Sequence, residues 1–314
     1  MATTRQIVIT TIAVLLALTI VACGTSTPPA TPTLEATSPP TGTPTPQNTL
    51  PAMTSTPSSE GLIDMGGYKL PYKCFGQGSP TVIIEAGGGD KPVTSSTWKP
   101  VTEGAQYITR ICIYNRVQGL PTSQDIAEDL HTMLGKIPLP GPYILVGHSV
   151  AGYHVRVYAH MYPEDVAGLI LVDPSNPDMP MAFATAYPTY SPDETTGITL
   201  NRISDLNTFP TPSIDGLDFN ASTEQVRQTG SLGDIPLIVI SANIDPDQWA
   251  MPGLTTEDTE RMVTAMLKTQ SDLAKLSSNG AFIVANTSHH FISLNDPQTI
   301  IDAIAQMVED IRNK

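Results

Sequence analysis

Eight short apolar runs recur along the chain, each of strand length and each beside turn residues. They are "LIDM" (Leu62 to Met65), "YKLPYKC" (Tyr68 to Cys74), "TVIIEA" (Thr81 to Ala86), "RICIY" (Arg110 to Tyr114), "YILVG" (Tyr143 to Gly147), "GLILVD" (Gly168 to Asp173), "PLIVIS" (Pro236 to Ser241) and "AFIVAN" (Ala281 to Asn286). The later runs are apolar on both faces, as strands of a parallel sheet covered on both sides should be. Between the runs the period becomes helical. Ile126, Leu130 and Leu134 mark one helix after a capping region at Thr122 and Ser123, and Met262, Val263, Met266, Leu267 and Leu273 mark another. Ile300, Ile301, Ile304 and Val308 mark a last helix, which the capping carboxylate of Asp296 and the ring of Pro297 are suited to start. Strands alternating with helices predict an α/β domain with a mostly parallel central sheet.

One segment breaks the alternation. Ser175 to Thr229 has no clear strand and is rich in Pro, Met, Tyr and Asp, with Met179, Met181, Phe183, Tyr187 and Tyr190 near its start. Long structureless loops are uncommon, and this one has apolar side chains to bury. The segment is therefore expected to form a small lid or cap inserted after the sixth strand.

The first sixty residues have a different character. A single positive charge at Arg5 precedes an apolar run from Ile7 to Ala22, which is the pattern of a signal peptide over residues 1–22 and slightly short for a membrane span. The small Ala22 before Cys23 resembles the lipobox of bacterial lipoproteins. That resemblance implies cleavage before Cys23, a diacylglycerol on its sulfur and an extracytoplasmic domain anchored to the cell membrane; an uncleaved signal anchor would put the domain on the same side. Residues 23–60, with repeated Thr-Pro units, almost no charge and no aromatic residue, cannot bury enough surface to offset ordering and are expected to be a disordered linker.

Residues 61–314 remain as one domain, with the cap at 175–229 inside it. The formal charge of the chain is −14, and the first sixty residues contribute only Arg5, Glu35 and Glu60 to it. An acidic body opposes binding to nucleic acid and electrostatic adhesion to anionic lipid. If Cys23 takes the lipid, Cys74 and Cys112 are left as a pair in an oxidising compartment, and a disulfide is expected in place of two buried thiols.

The stretch "YILVGHSVAGYHVRVYAHMYP" reads as strand, sharp turn and helix with Ser149 at the corner. In such a GxSxG turn the serine backbone is strained, and the residues two before and two after it must be small so that strand and helix can approach. Gly147 meets the first requirement, and Ala151 meets the second at the cost of one methyl group, with Gly152 leaving further room. The same turn sets the Val150 amide at a helix N-terminus, where a developing oxyanion gains from donor and dipole together.

With "TVIIEAGGGD" before "STWKPV", "RICIYNRVQGLPTS", "GPYILVGHSVAG", "GLILVDPSNPDM", "SLGDIPLIVIS" and "NTSHHFISLNDPQTIIDAI" in this order, the chain from about Leu62 onward resembles the α/β-hydrolase superfamily in its serine-nucleophile branch. The resemblance implies a mostly parallel eight-stranded sheet flanked by helices. It also implies that the second strand lies beside the fourth, which would bring Cys74 and Cys112 onto neighbouring strands.

It implies a general base late in the chain as well, because a serine hydroxyl must lose its proton to attack at neutral pH. His290 aligns with that base and His289 is the runner-up. The acid that orients the base is expected after the seventh strand, at Asp245, with Asp173 at the end of the sixth strand and Asp247 as alternatives. A second oxyanion donor is expected after the third strand at Gly88, with Gly89 also possible. His148, Trp98 and Met179 are further candidates to line the pocket.

The activity implied is hydrolysis of a carboxylic ester or related small acyl substrate through an acyl-enzyme on Ser149. Amide, lactone or carbon–carbon bond hydrolysis would use the same triad, and a lipid-anchored binding protein could use the same fold without catalysis. No metal or organic cofactor is implied, since zinc-type His and Cys spacing and a dinucleotide fingerprint are both absent from the sequence.

Overall fold

The computed structural model describes residues 59–186, 214–247 and 255–314. The expected signal peptide, the Cys23 expected to carry a lipid, nearly all of the expected linker and residues 187–213 of the expected cap lie outside the described residues. The first half of the domain runs β1 (Ser59–Asp64), β2 (Lys69–Phe75), β3 (Thr81–Glu85), α1 (Lys99–Ala105), β4 (Ile111–Tyr114), α2 (Ser123–Lys136), β5 (Tyr143–His148), α3 (Ala151–Met161) and β6 (Val166–Val172). Then come α4 (Met179–Ala186), α5 (Phe219–Gln228), β7 (Leu237–Ser241), α6 (Thr256–Leu273), β8 (Gly280–Val284), α7 (Ile292–Asn295) and α8 (Pro297–Arg312).

The strands form one eight-stranded sheet in the order β1-β2-β4-β3-β5-β6-β7-β8. From β4 to β8 every pairing is parallel, and β2 runs antiparallel to both of its neighbours. This is the α/β-hydrolase fold that the motif order implied. Alternation within the strands splits the core into two layers. Val82, Ile84, Ile144, Val146, Ile170, Val172, Ile238 and Ile240 face one side, where α1, α8 and the Met262–Met266 stretch of α6 pack. Ile83, Leu145, Leu169, Leu171 and Val239 face the other, against α2 and α3.

The helix starts follow the capping residues. Thr122 and Asp125 form a reciprocal capping box at α2, and Thr255 and Asp258 form another at α6. At α8 the local chemistry differs from expectation. Asp296 occupies the cap position ahead of Pro297, but its carboxylate accepts from the Asn286 amide and the Thr299 hydroxyl and not from the first-turn amides. That ties the helix start to the loop after β8. The strand β8, expected to be covered on both faces, has Gly280, Ala281 and Val284 exposed, because it is the edge of the sheet. The helices α1, α4 and α5 were not legible as periodic runs.

Cys74 and Cys112 are register partners on β2 and β4 and form a disulfide, 38 residues apart in sequence. Closing a loop of that size restricts the unfolded chain by roughly 3–4 kcal/mol in the chain-entropy account. Reduction, or the paired change Cys74→Ala with Cys112→Ala, is therefore expected to lower the unfolding free energy by about 2–4 kcal/mol, read as a lower denaturant midpoint.

Candidate active site

Four parallel strands deliver the candidate residues from their C-terminal ends, the usual place for a site on an open α/β sheet. The Gly87–Gly89 loop follows β3, Ser149 follows β5, Asp173 follows β6, and His290 lies between β8 and α7.

Ser149 sits at the corner between β5 and α3 with φ of 56°, in the left-handed region that a residue with a side chain seldom occupies. The turn is closed at both ends: its amide donates to Val172 O at 3.1 Å, and its carbonyl accepts from the amides of Gly152 at 3.0 Å and Ser175 at 2.9 Å. The requirement for small residues is visible in atoms. A Cβ on Gly147 would lie 2.7 Å from both Ala151 O and Val155 Cγ2, and one on Gly152 would lie 2.6 Å from Pro174 Cβ. The Ala151 methyl is wholly buried, so the fifth position of the motif accepts it.

His290 Nδ1 is 2.6 Å from Asp173 Oδ2. The other carboxylate oxygen of Asp173 accepts from the Ala242 amide at 3.0 Å. Asp173 has φ of 40° and its own amide donates to Ile240 O at 2.7 Å, so both strands β6 and β7 fix a strained turn that aims the carboxylate at the imidazole. The Asp173 side chain is 5% exposed and the His290 side chain 46% exposed. An acid that is buried and a base that faces the solvent side suit one group that orients and one that exchanges protons. With Nδ1 engaged by Asp173, His290 Nε2 is the nitrogen left for the Ser149 hydroxyl. The two are not hydrogen bonded here, and such contacts commonly tighten only once substrate is bound.

The aspartate expected first, Asp245, does not hold the His290 ring. It lies in the loop after β7 and accepts from the Asp247 amide at 3.0 Å, an Asx-type turn within its own loop. The reason is the end of β7, which spends its Ala242 amide on Asp173 and supplies no acid to His290. His289 is exposed, and its amide donates to Thr287 Oγ1.

His148 is not an open pocket residue. It is 2% exposed, its ring lies edge-on to the buried Trp98, and Nε2 is 3.0 Å from His290 O. A carbonyl only accepts, so Nε2 carries the proton and His148 pins the backbone of the loop that carries His290. Trp98 is buried in the core layer that includes α1, and the half-buried Met179, at the start of α4, packs against that layer.

Burial, reinforced by the neighbouring His290, pushes His148 down to about 4, and burial holds His154 well below the ordinary histidine value. A group that resists protonation when folded destabilises the fold once the unfolded chain binds the proton. Stability is therefore complete above pH about 6.5 and falls between about 6.5 and 4, at up to about 1.4 kcal/mol per pH unit for His148 alone. Melting curves at pH 7, 5.5 and 4.5 are expected to show this loss, and His148→Gln should reduce it to the part that His154 contributes.

On the oxyanion side, Gly87 abuts the nucleophile turn, since a Cβ there would lie 3.3 Å from Ser149 Cβ. The Gly89 amide donates to Asp215 Oδ2 at 2.9 Å. Among the described residues the Gly88 and Val150 amides have no such acceptor, which favours Gly88 over Gly89. Under this loop lies a buried ionic network that sequence reasoning missed. Arg116, 5% exposed, binds Glu85 Oε1 at 2.5 Å and Asp215 Oδ2 at 2.9 Å, and Tyr114 donates to the second oxygen of Glu85. The signal was an arginine two residues after the apolar run of β4, in "ICIYNR".

A family model described as the alpha/beta hydrolase fold matches residues 23–199. Among curated proteins, a probable transporter, efuK, of Hormonema carpetanum is 33% identical over 132 residues, which is 37% of this chain and 18% of that protein. The chain thus spans less than a fifth of the length of that relative. Among solved structures, an esterase from Thermogutta terrifontis with malate bound is 18% identical at a TM-score of 0.50, over 81% of this chain and 99% of that one. A haloalkane dehalogenase, DatA, from Agrobacterium tumefaciens C58 is 15% identical at a TM-score of 0.52, over 81% and 97%. At these identities the two structures speak for the fold alone. By its matched family model, its sheet order and the strained turn at Ser149, the chain belongs to the alpha/beta hydrolase fold family.

Proposed function

We propose that the protein hydrolyses a carboxylic ester or related acyl compound through an acyl-enzyme on Ser149. The observation that carries this reading is the 2.6 Å bond from His290 to Asp173, set beside a serine held at a strained strand-to-helix corner. His290 Nε2 takes the Ser149 proton as Oγ attacks the substrate carbonyl, and the carbonyl oxygen gains the electron pair. The Val150 and Gly88 amides bind that oxyanion. His290, now protonated on both nitrogens and stabilised by Asp173, gives its proton to the leaving alkoxide as the tetrahedral centre collapses. Water then repeats the sequence on the acyl-enzyme and frees the acid.

A serine at this corner sets the chain apart from branches of the superfamily that use an aspartate nucleophile, in which the carboxylate attacks an alkyl carbon. The segment 175–229 is proposed as a cap within the domain of residues 61–314, and substrate size would be set there. A lipid anchor on Cys23, after removal of residues 1–22, is proposed to tether the domain outside the cytoplasm by way of the 23–60 linker. The Cys74–Cys112 disulfide supports that address, since such bonds persist in oxidising compartments.

The test is pre-steady-state hydrolysis of p-nitrophenyl esters across a chain-length series. A burst of nitrophenolate equal to the enzyme concentration, followed by slower turnover, is the expected signature of an accumulating acyl-enzyme. Linear release at the buffer rate with every ester would overturn the reading.

A further inference from the structure

The loop Ala86-Gly87-Gly88-Gly89 has no side chain beyond one methyl, so its own sequence leaves the direction of its amides open. That direction is set by one turn bond, from the Asp90 amide to Gly87 O at 3.3 Å, and by a side chain from outside the loop. A peptide is planar and trans, so its C=O and its N–H point to opposite sides. Arg116 Nη1 donates to Ala86 O at 2.9 Å and Nη2 donates to Gly87 O at 3.4 Å. Two consecutive carbonyls thus face the guanidinium, and the Gly87 and Gly88 amides that follow them face away from it. The third amide, of Gly89, is turned aside by its bond to Asp215 Oδ2.

Asp215 controls both halves of this arrangement through one oxygen. Oδ2 accepts from the Gly89 amide and from Arg116 Nη2, each at 2.9 Å, while Oδ1 accepts from Gln118 Nε2 at 3.1 Å. The side chain is 7% exposed. Burial alone would raise this carboxyl, but the Gly89 amide, Gln118 and Arg116 outweigh it and hold Asp215 below the usual carboxylate value.

The backbone at this point is built for the contact. Asp215 has φ of 63° and Gly216 has φ of 87°, and a Cβ on Gly216 would lie 2.9 Å from Gly119 Cα. The Gly119 amide donates to Asp215 O at 2.7 Å, which ties the same residue to the loop after β4. Asp215 belongs to the 175–229 segment and not to the sheet, so a residue outside the core holds the loop that adjoins Ser149.

We infer that Asp215 is a positioning residue, which through Arg116 and the Gly89 amide orients the Gly88 amide as an oxyanion donor. The inference rests on the reading of Ser149 as an acyl nucleophile. Without Asp215, Arg116 keeps Glu85 but loses its second anchor, and Gly89 loses its only described acceptor. The glycine loop then samples other orientations. A misplaced donor costs most where charge develops, in the transition state, and little in the bound ester.

The experiment compares the full chain with D215A and D215N in p-nitrophenyl butyrate hydrolysis and in inhibition by an aryl trifluoromethyl ketone, whose serine adduct carries an oxyanion. For D215A, kcat is expected to fall about 10–100-fold with KM within about threefold, and the ketone Ki to rise by a similar factor. D215N keeps an acceptor for the Gly89 amide but loses the charge facing Arg116, and is expected to lower kcat about 3–10-fold and to raise the ketone Ki by a similar factor.

A folded D215A with kcat within twofold of the unsubstituted protein would overturn the inference. So would a kcat loss that leaves the ketone Ki unchanged, which marks a role outside the oxyanion site. If D215A does not fold, D215N decides on the same readouts, and a value within twofold on both overturns the inference. An unsubstituted protein that neither turns over esters nor binds the ketone would instead bring down the acyl-enzyme reading, and this inference with it.

Discussion

Asp173→Asn is expected to lower kcat for ester hydrolysis by about 10⁴-fold while leaving the fold intact. The asparagine has the size of the aspartate, and its oxygen can still accept from the Ala242 amide, where Oδ1 now lies 3.0 Å away. Its amide nitrogen would then face His290 Nδ1 in place of Oδ2. A nitrogen that donates forces the imidazole to accept on Nδ1 and carry its proton on Nε2, so the nitrogen facing Ser149 can no longer take a proton. The imidazolium that forms during attack also loses its counter-charge. Asp245→Asn is the informative contrast. Asp245 accepts from the Asp247 amide within its own loop, and an amide oxygen can do the same, so kcat is expected to stay within about threefold. Steady-state kinetics on both variants, with melting curves to establish folding, separates the two aspartates.

His290→Ala carries the other large effect, a loss of about 10⁴–10⁶-fold in kcat with a smaller change in KM. The ring is the one bonded to Asp173, and it lies with its centroid 4.6 Å from the ring of His148, the residue before Ser149. Its backbone is independently held by His148 Nε2, a bond to the carbonyl that survives the truncation. The loop should therefore keep its place, and the loss should report the missing base and not a collapsed site. His289→Ala removes an exposed ring whose neighbouring contact is a backbone amide, and is expected to change kcat by less than about threefold.

Sequence carried the sheet well because its determinants are local. Each of the eight apolar runs overlaps its strand, and the small residues around Ser149 state a steric need that a few residues satisfy among themselves. The acid was not legible for the opposite reason. Asp173 and Asp245 both fall between Ser149 and His290 in chain order, and both follow a strand and precede a proline. What separates them is non-local: Asp173 is turned by its amide bond to Ile240 and completed by the Ala242 amide, both from the neighbouring strand.

The helices within residues 175–229 escaped for another reason. The α4 sequence "MPMAFATA" has almost no polar face, so its spacing carries little helical signal. Arg116 and Asp215 are 99 residues apart, and neither a motif nor a period links them.

The central claim is that Ser149 is a nucleophile activated by the His290–Asp173 pair. Reaction of the folded protein with a fluorophosphonate, followed by digestion and mass spectrometry of the peptides, tests it most directly. The account predicts one phosphonyl group per chain, on Ser149, lost in Ser149→Ala and strongly slowed in His290→Ala. A folded protein that stays unlabelled, or that carries the label on another residue, would contradict it.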